Sequence, residues 1–137
     1  MIAVTDTHAL IWAATGKSRR LGRSARRYFA LAEKRASNVV IYVPTIALVE
    51  IGEAVERNRI SLKLPFGRWV ESMFAAGPYI PADLTSDVVA VAHDLRAIPE
   101  RRDRLIAASA IVLGCDLITR DPEIASVLRA QVKIVWD

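Results

Sequence analysis

Short apolar segments that favour β-strands alternate with helical segments along the whole chain, and this alternation restricts the fold more than any other feature. Five segments are predicted strands: residues 2–5, 39–43, 79–80, 116–119 and 132–135. Several are apolar at nearly every position, as expected for strands buried on both faces. The pattern therefore predicts a three-layer α/β fold with a central parallel sheet of about five short strands between helices.

The segments between the strands are predicted helices, because they combine helical spacing of apolar residues with residues that typically begin or end helices. They are residues 7–14, 21–35, 45–57, 65–76, 85–96, 103–113 and 122–128. Thr45 and Thr85 are the predicted N-caps of the third and fifth helices. Gly114 is expected to end the sixth.

Length and composition indicate one globular domain over residues 1–137. Hydrophobic residues make up 53% of the chain and charged residues 25%. The uncharged apolar runs fall short of the roughly 20 residues that span a membrane. The start of the chain reaches Asp6 without a basic segment, unlike a signal peptide. Because Cys115 is the single cysteine, no internal disulfide can form, and a cytoplasmic location is expected.

Positive charge is concentrated between residues 17 and 35, where Glu33 is the only acid. The basic residues there are Lys17, Arg19, Arg20, Arg23, Arg26, Arg27, Lys34 and Arg35. The planar guanidinium group suits phosphate, so this segment is a candidate nucleic-acid contact. Arg23 and Arg27 are the predicted substrate-binding residues within it. A solvated helix face or a subunit contact would explain the same charges.

Four acidic residues stand where a solvated acid is not expected. Asp6 and Asp121 follow predicted strands, and ligands of parallel sheets bind beyond the carboxyl ends of strands. Asp103 opens a very apolar helix, and Glu50 lies inside the apolar part of another. A carboxylate in that position is partly desolvated and needs a partner.

Each acid has a simpler explanation. Asp6, Asp103 and Asp121 precede predicted helices and could act as N-caps, each worth about 1 kcal/mol. Arginines that flank the aspartates could also form ion pairs. If the four acids converge, however, two charges about 4 Å apart repel by roughly 4 kcal/mol at an effective dielectric of 20. Mg²⁺ or Mn²⁺ would remove that cost, because both ions prefer carboxylate and water oxygens.

Four sequence blocks, in order, resemble those of PIN-domain proteins: VTDTHALIW, TIALVEIGEAVERNRI, DRLIAASAIVLGCDLITRD and VKIVW. The opening Asp-Thr-His-Ala-Leu and the Asp-Arg-Leu-Ile-Ala-Ala block are most similar to the VapC toxins of bacterial toxin–antitoxin pairs. The resemblance covers nearly the full length. It implies a PIN-like α/β/α domain that cuts RNA with Mg²⁺ or Mn²⁺ held by four acids.

By motif, the four acids of that family fall on Asp6, Glu50, Asp103 and Asp121. Thr119 falls on the hydroxyl position of the Thr-x-Asp motif and Thr7 on the hydroxyl residue after the first acid, so both are candidate substrate-binding residues. The resemblance also implies a homodimer and a small VapB-type antitoxin that blocks the site.

Two departures leave substrate choice and loop shape open. Val49 stands where relatives with this opening often carry tryptophan, and PERRD replaces a Pro-Ala-Asp-like approach to the third acid.

Other functional classes fit less well. A phosphatase of the haloacid-dehalogenase type needs a second aspartate where this chain has His8, and a receiver domain needs a late lysine that is not evident. A PIN-like module that binds RNA or a partner without cutting is the main alternative. A DNA-cutting nuclease also remains open, because carboxylate-held metal chemistry does not read the sugar.

Overall fold

Five parallel β-strands form the centre of the protein in a computed structural model that describes residues 1–34 and 36–137. The strands are β1 (Ile2–Thr5), β2 (Val40–Pro44), β3 (Tyr79–Ala82), β4 (Asp116–Ile118) and β5 (Ile134–Val135). They hydrogen-bond in the order β3-β2-β1-β4-β5, and each neighbouring pair is parallel. The predicted α/β fold with about five short parallel strands is confirmed.

Seven α-helices occur in the described part of the chain. They are α1 (Thr7–Ala14), α2 (Arg23–Ala32), α3 (Thr45–Glu56), α4 (Phe66–Ala75), α5 (Ser86–His93), α6 (Arg101–Leu113) and α7 (Pro122–Leu128). A single 3₁₀ turn, Ser18–Arg20, precedes α2. None of these helices has the length and apolar character needed to cross a membrane.

Alternate residues of the strands face two separate apolar clusters. Ala3 and Ile41 belong to the first cluster, together with buried residues of α1 and α2. Val4 and Leu117 belong to the second, together with buried residues of α5, α6 and α7. Because successive side chains of a strand point to opposite faces, both faces of the sheet are covered and the fold has three layers.

The strand order reverses between β1 and β4. From β1 the sheet continues to β2 and β3 on one side and to β4 and β5 on the other. A crevice opens outside the carboxyl ends of strands at such a reversal, where ligands of parallel sheets bind. The backbone N–H of Asp6 donates to the carbonyl oxygen of Ile118 at 3.0 Å, which ties the end of β1 to β4 beside the crevice.

Helix α2 is shorter than predicted. It begins at Arg23, because Leu21 has an extended backbone (φ −75°, ψ 142°) and Gly22 is the residue before the first turn. It ends at Ala32, and the predicted last residue, Arg35, lies outside the described residues. Leu21 is buried with 3% of its surface exposed, so it packs into the core from the extended segment before the helix.

Two other predicted helix starts are also wrong. Thr45 is the first residue of α3 rather than its cap, and its hydroxyl oxygen accepts from the N–H of Leu84 at 3.2 Å. Helix α6 begins at Arg101, and Glu100 caps it by accepting from the N–H of Asp103 at 3.0 Å. Asp103 therefore lies within the first turn of α6, and its carboxylate is not the cap.

Two other predicted helix boundaries, the cap of α5 and the end of α6, are confirmed. Thr85 caps α5 by accepting from the N–H of Val88 at 3.2 Å. Gly114 ends α6 with φ 63°, a backbone conformation that glycine adopts without steric cost. Helix α5 ends at His93, before the predicted residue 96.

The segment after β5 caps the N-terminus of α2. The carbonyl oxygen of Trp136 accepts from the N–H groups of Ser24 at 3.0 Å and Ala25 at 3.2 Å. These donors belong to the first turn, where helical N–H groups have no partner within the helix. Gly22 permits this approach, since a Cβ atom at its position would lie 2.2 Å from that oxygen.

Replacing Gly22 with alanine is expected to destabilise the protein. Relieving the overlap between the new methyl group and Trp136 should cost about 1–3 kcal/mol in the free energy of unfolding. Gly67→Ala is the control: no heavy atom lies within 4 Å of the added Cβ in α4. Its better helix propensity should stabilise the protein by about 0.5–1 kcal/mol. Urea unfolding followed by circular dichroism measures both, and wild-type stability of Gly22→Ala would contradict the close approach.

Candidate active site

The four acidic residues singled out in the sequence line one cavity of about 270 Å³. Asp6 precedes α1, Glu50 lies in the middle of α3, Asp103 lies in the first turn of α6, and Asp121 precedes α7. All four residues are half-buried. The cavity lies beside the crevice between β1 and β4, because Asp6 and Asp121 follow those two strands. Four elements that are far apart in the sequence thus contribute one carboxylate each.

Asp6 and Asp121 cap helices and face the cavity at the same time. Oδ1 of Asp6 accepts from the N–H of Ala9 at 2.9 Å. Oδ1 of Asp121 accepts from the N–H of Glu123 at 2.8 Å. The capping interpretation is therefore correct for both residues, but capping does not use all the acceptor sites of either carboxylate. A carboxylate has two oxygens and about four lone-pair sites, so each can still bind a second ligand.

Glu50 is oriented by Thr7. The Thr7 side chain is buried, with 6% of the residue exposed, and its hydroxyl donates to Oε1 of Glu50 at 2.7 Å. This short bond to a carboxylate is of the charge-assisted type. It connects the first turn of α1 to the middle of α3 across one wall of the cavity. The predicted hydroxyl position beside the first acid is thus engaged with the second acid.

The pKa of Asp103 is raised to about 7, first by burial and then by the charges of Glu100, Asp121, Glu50 and Asp6. Three of these four charges belong to the same cavity. Their combined effect shows that the carboxylates lie close enough to oppose one another's ionisation.

Burial also raises the pKa of Asp6, and the charge of Asp121 acts in the same direction. Hydrogen bonds from the Thr119 side chain and from the backbone of Ala9 lower it in part. Thr119 is 1% exposed, and its hydroxyl oxygen accepts from the N–H of Asp121 at 3.1 Å. Thr119 therefore contacts both aspartates at the ends of β1 and β4.

The neighbouring arginines do not neutralise these acids. Arg102 forms a bidentate pair with Glu53 at 2.7 and 3.0 Å, the only salt bridge among the described residues. Arg104 donates to the backbone carbonyl oxygen of Ile98. The Arg120 guanidinium lies 5.1 Å from the ring centroid of Trp12. The predicted ion-pairing alternative is therefore not observed.

The donor set fits a hard divalent cation, although the side chains do not yet form a closed cage. The cavity contributes oxygen ligands, which Mg²⁺ and Mn²⁺ prefer. In residues 1–34 and 36–137, no three Asp, Glu, His or Cys side chains stand close enough together to hold a metal ion. Hydrogen bonds to Ala9, Glu123 and Thr7 hold one oxygen each of Asp6, Asp121 and Glu50. Cation binding therefore requires side-chain adjustment around a pocket whose backbone already converges.

The predicted substrate-binding residues divide into two groups. Thr7 lines the cavity, and Thr119 is buried beside Asp6 and Asp121. Arg23 and Arg27 are exposed on α2 and do not line the cavity. The structure therefore brings the two hydroxyl residues to the carboxylates and leaves the two arginines apart from them.

His8, Trp12 and Arg120 also line the cavity, and sequence reasoning did not assign them to it. The His8 and Trp12 rings lie 5.9 Å apart between centroids. Their spacing of four residues on α1 could have revealed this contact, because such residues share a helix face. The position of Arg120 over Trp12 depends on tertiary packing and has no sequence signal.

Solved structures with the same fold cover nearly the whole chain. VapBC2 from Rickettsia felis, bound to a DNA fragment from its promoter, is 19% identical, with a TM-score of 0.68 and 100% of each chain covered. A toxin–antitoxin complex from Klebsiella pneumoniae is 18% identical, with a TM-score of 0.62 and coverage of 97% of this chain and 95% of that one. FitAcB from Neisseria gonorrhoeae is 17% identical, with a TM-score of 0.59 and coverage of 98% and 96%.

No curated protein sequence matches the chain. The family model described as PIN domain, in contrast, matches residues 3–129. This match contains all four carboxylates of the cavity, β2, β3, β4 and all of β1 except Ile2, and the structural neighbours share the fold. The chain therefore belongs to the PIN domain family.

Proposed function

We propose that this protein is a VapC-type toxin, a Mg²⁺- or Mn²⁺-dependent endoribonuclease that hydrolyses RNA phosphodiester bonds at Asp6, Glu50, Asp103 and Asp121. One observation carries this proposal. Four half-buried carboxylates from four elements line one cavity, and no basic side chain of the described residues forms a salt bridge with any of them. Such an arrangement is costly without a cation and becomes favourable with one.

The chain's residues would divide the work of holding the cation and setting the geometry. Asp6, Glu50, Asp103 and Asp121 would supply the oxygen ligands. Thr7 orients Glu50 through the bond to Oε1 at 2.7 Å. Thr119 contacts Asp6 and Asp121 together. Ligands restrained in this way lose little freedom on binding, which favours a precise site.

A bound divalent cation supplies Lewis-acid chemistry, which activates water and stabilises the charge that develops on phosphoryl oxygens. The four carboxylates would hold the cation at the carboxyl edge of the sheet, in a cavity that is open to a phosphodiester from solvent. In the hydrolysis, a water oxygen would form a bond to phosphorus, the bond between phosphorus and the 3′ oxygen would break, and the 3′ oxygen would take up a proton. The products would carry 5′-phosphate and 3′-hydroxyl ends.

We also propose that a small VapB-type antitoxin blocks this site and that the protein acts as a homodimer in the cytoplasm. The support for a protein partner is that the Klebsiella pneumoniae structure is a toxin–antitoxin complex. Copurification of a small partner, with activity restored on its removal, is the expected sign of this inhibition.

A second function is favoured by one observation. Because no three metal-binding side chains of the described residues are already clustered, the fold could bind RNA or a partner without cutting. The two functions differ in whether a divalent cation binds and whether RNA is shortened. One experiment separates them.

The central test incubates the purified protein, freed of any antitoxin, with total RNA in Mg²⁺, Mn²⁺ or EDTA. Discrete fragments are expected only with metal. Asp6→Asn should lower turnover by at least about 100-fold, since carboxylate ligands place the cation and loss of positioning has effects of this size. Sequencing the fragment ends identifies the RNA and the cleavage site.

Asp116→Asn is the matched control for this test. Asp116 begins β4 at the amino end of the strand and accepts from the Tyr28 hydroxyl at 3.2 Å, away from the cavity. The control should therefore cleave like the wild type. Full activity of Asp6→Asn, or intact RNA with a folded and metal-loaded wild type, would favour the binding-only function.

The stability of the metal-free protein should fall as pH rises from about 4 to about 7. The pKa of Asp103 is about 7 in the folded protein, whereas an unfolded aspartate has a pKa of about 3.9. Between these values the folded state binds more protons, so the free energy of unfolding decreases with rising pH. The raised pKa of Asp6 acts in the same direction.

Melting temperatures measured in EDTA across this pH range check the effect. Asp103→Asn should flatten the profile, because its side chain does not ionise. Excess Mn²⁺ should restore stability near neutral pH in the wild type. Identical profiles for the wild type and Asp103→Asn would show that Asp103 is not the group responsible.

The Glu53–Arg102 pair is expected to position Glu50 and Asp103. It joins α3 to α6 one turn from Glu50 and next to Asp103, at 2.7 and 3.0 Å. Glu53→Gln and Arg102→Gln should each reduce Mn²⁺ affinity and kcat by about tenfold, as outer ligand supports do. Since both substitutions break the same ion pair, the double variant should lose no more Mn²⁺ affinity or kcat than either single variant. Losses that multiply in the double variant would indicate separate roles.

A further inference from the structure

A second cavity, which we call the basic groove, adjoins the carboxylate pocket. Its volume is about 380 Å³, and it shares the wall residues Thr7, His8, Trp12 and Glu50 with the pocket. Lys17, Arg20, Arg57, Arg59 and Arg102 supply its positive charge. A chain lying in the groove would therefore lead directly to the carboxylates.

Among the described residues, four of the five basic residues in the groove form no salt bridge, although Glu50 and Glu53 also line it and the charge of Arg57 lowers the pKa of Glu53. Arg102 is paired with Glu53, which also lines the groove. Lys17, Arg20, Arg57 and Arg59 form no salt bridge with any residue in the described part of the chain. Like charges along one groove repel one another and attract a polyanion.

Lys17 reaches the groove from the C-terminus of α1. Thr15 is the C-cap, Gly16 follows with φ 71°, and the N–H of Lys17 donates to the carbonyl oxygen of Trp12 at 2.9 Å. This is the long hydrogen bond of a Schellman motif. The turn brings the chain back across the end of α1, and Lys17 lines the groove.

Arg59 reaches the groove by the same device at the C-terminus of α3. Asn58 has φ 56°. Its N–H donates to the carbonyl oxygen of Val55 at 3.1 Å, and the N–H of Arg59 donates to the carbonyl oxygen of Ala54 at 2.8 Å. These are the two bonds of a Schellman motif. Both helices thus end with a basic residue at the same position of the motif, and both residues line the basic groove.

A structural explanation of these charges is available and gives a different expectation. Cations near a helix C-terminus are favourable because the helix dipole is negative there. If that were their role, replacing Arg57 and Arg59 would lower the stability of α3 but would leave the affinity for RNA unchanged. Arg20 is not explained in this way, since it lies in the 3₁₀ turn with its guanidinium 6.0 Å from the Trp12 ring centroid.

We infer that the basic groove binds the phosphates of the RNA strand that flanks the bond to be cut, with Lys17, Arg20, Arg57 and Arg59 as the contacts. This inference rests on the proposed nuclease function and places the main strand contact in the groove instead of at Arg23 and Arg27. A single nucleic-acid strand fits the observations because the groove is positive while the adjoining pocket is negative. The groove can hold phosphates without a cation, and the strand can continue into the pocket when a cation occupies it.

The test measures the affinity of a fluorescein-labelled single-stranded oligouridylate by fluorescence anisotropy in EDTA, where cleavage is off. Arg57→Gln/Arg59→Gln should lower the slope of log affinity against log salt by about 1.4, since each phosphate contact on a single strand contributes about 0.7. At about 0.1 M salt the same relation gives a loss of roughly 25-fold. Melting temperature, measured in parallel, detects a purely structural role.

Arg68→Gln/Arg129→Gln is the matched control, because it removes the same charge from two exposed residues that line neither the groove nor the pocket. Its salt slope should equal that of the wild type. The variant Arg23→Gln/Arg27→Gln tests, in the same assay, whether the exposed surface of α2 binds the oligouridylate. An unchanged slope for the Arg57 and Arg59 variant, or a loss confined to the Arg23 and Arg27 variant, would overturn the inference.

The two proposals fail in different ways. RNA affinity that depends on Arg57 and Arg59 supports the groove even if the wild type cuts no RNA, and in that case the nuclease function is wrong. If RNA is cleaved with metal but Arg57→Gln/Arg59→Gln has the wild-type salt slope, the nuclease function is supported and the proposed RNA contact in the basic groove is wrong.

Discussion

Repulsion among four carboxylates around one half-buried cavity is the constraint that the rest of the structure has to meet. It is visible in Asp103, whose pKa of about 7 reflects burial together with the charges of Glu100, Asp121, Glu50 and Asp6. A fold that holds such a group must offset the repulsion locally or supply a cation. The local compensation is partial, and this is why the cavity is suited to a divalent ion.

Helix N-termini supply most of that compensation. Asp6 and Asp121 cap α1 and α7, and Asp103 lies in the first turn of α6. The positive end of the helix dipole favours a carboxylate at each of these positions. Glu50 lies in the middle of α3, where the helix dipole does not stabilise it, and it accepts a hydrogen bond from the Thr7 hydroxyl instead. Capping and the proposed cation binding are therefore compatible uses of the same carboxylates rather than competing explanations.

Positive charge is placed around the cavity rather than within it. Arg102 is held by Glu53, Arg120 lies over Trp12, and the cations of the basic groove follow the ends of α1 and α3. This separation leaves the pocket negative and its surroundings positive, which suits the cation and the phosphate chain that we propose as ligands. A single mixed site would instead form internal ion pairs and bind neither well.

Prediction from the sequence succeeded where the signal is local. Strand composition, the caps at Thr85, Asp6 and Asp121, and the stop at Gly114 depend on short-range backbone chemistry. Prediction was wrong at the start of α6, where the local cap is Glu100 rather than Asp103, and it was also wrong where tertiary contacts decide the boundary. Helix α2 starts late because the Trp136 carbonyl caps it beside Gly22, a contact between residues far apart in the sequence.

The sequence by itself determined the α/β alternation and the four acids that stand where solvated acids are not expected, because burial pattern and residue type are local properties. Only the tertiary structure decided that the strand order reverses between β1 and β4 and that the four acids meet there. It also decided that Arg102 binds Glu53 instead of an aspartate and that Lys17 and Arg59 share one groove. These arrangements depend on how the helices pack over the two faces of the sheet, and no short segment of the chain encodes that packing.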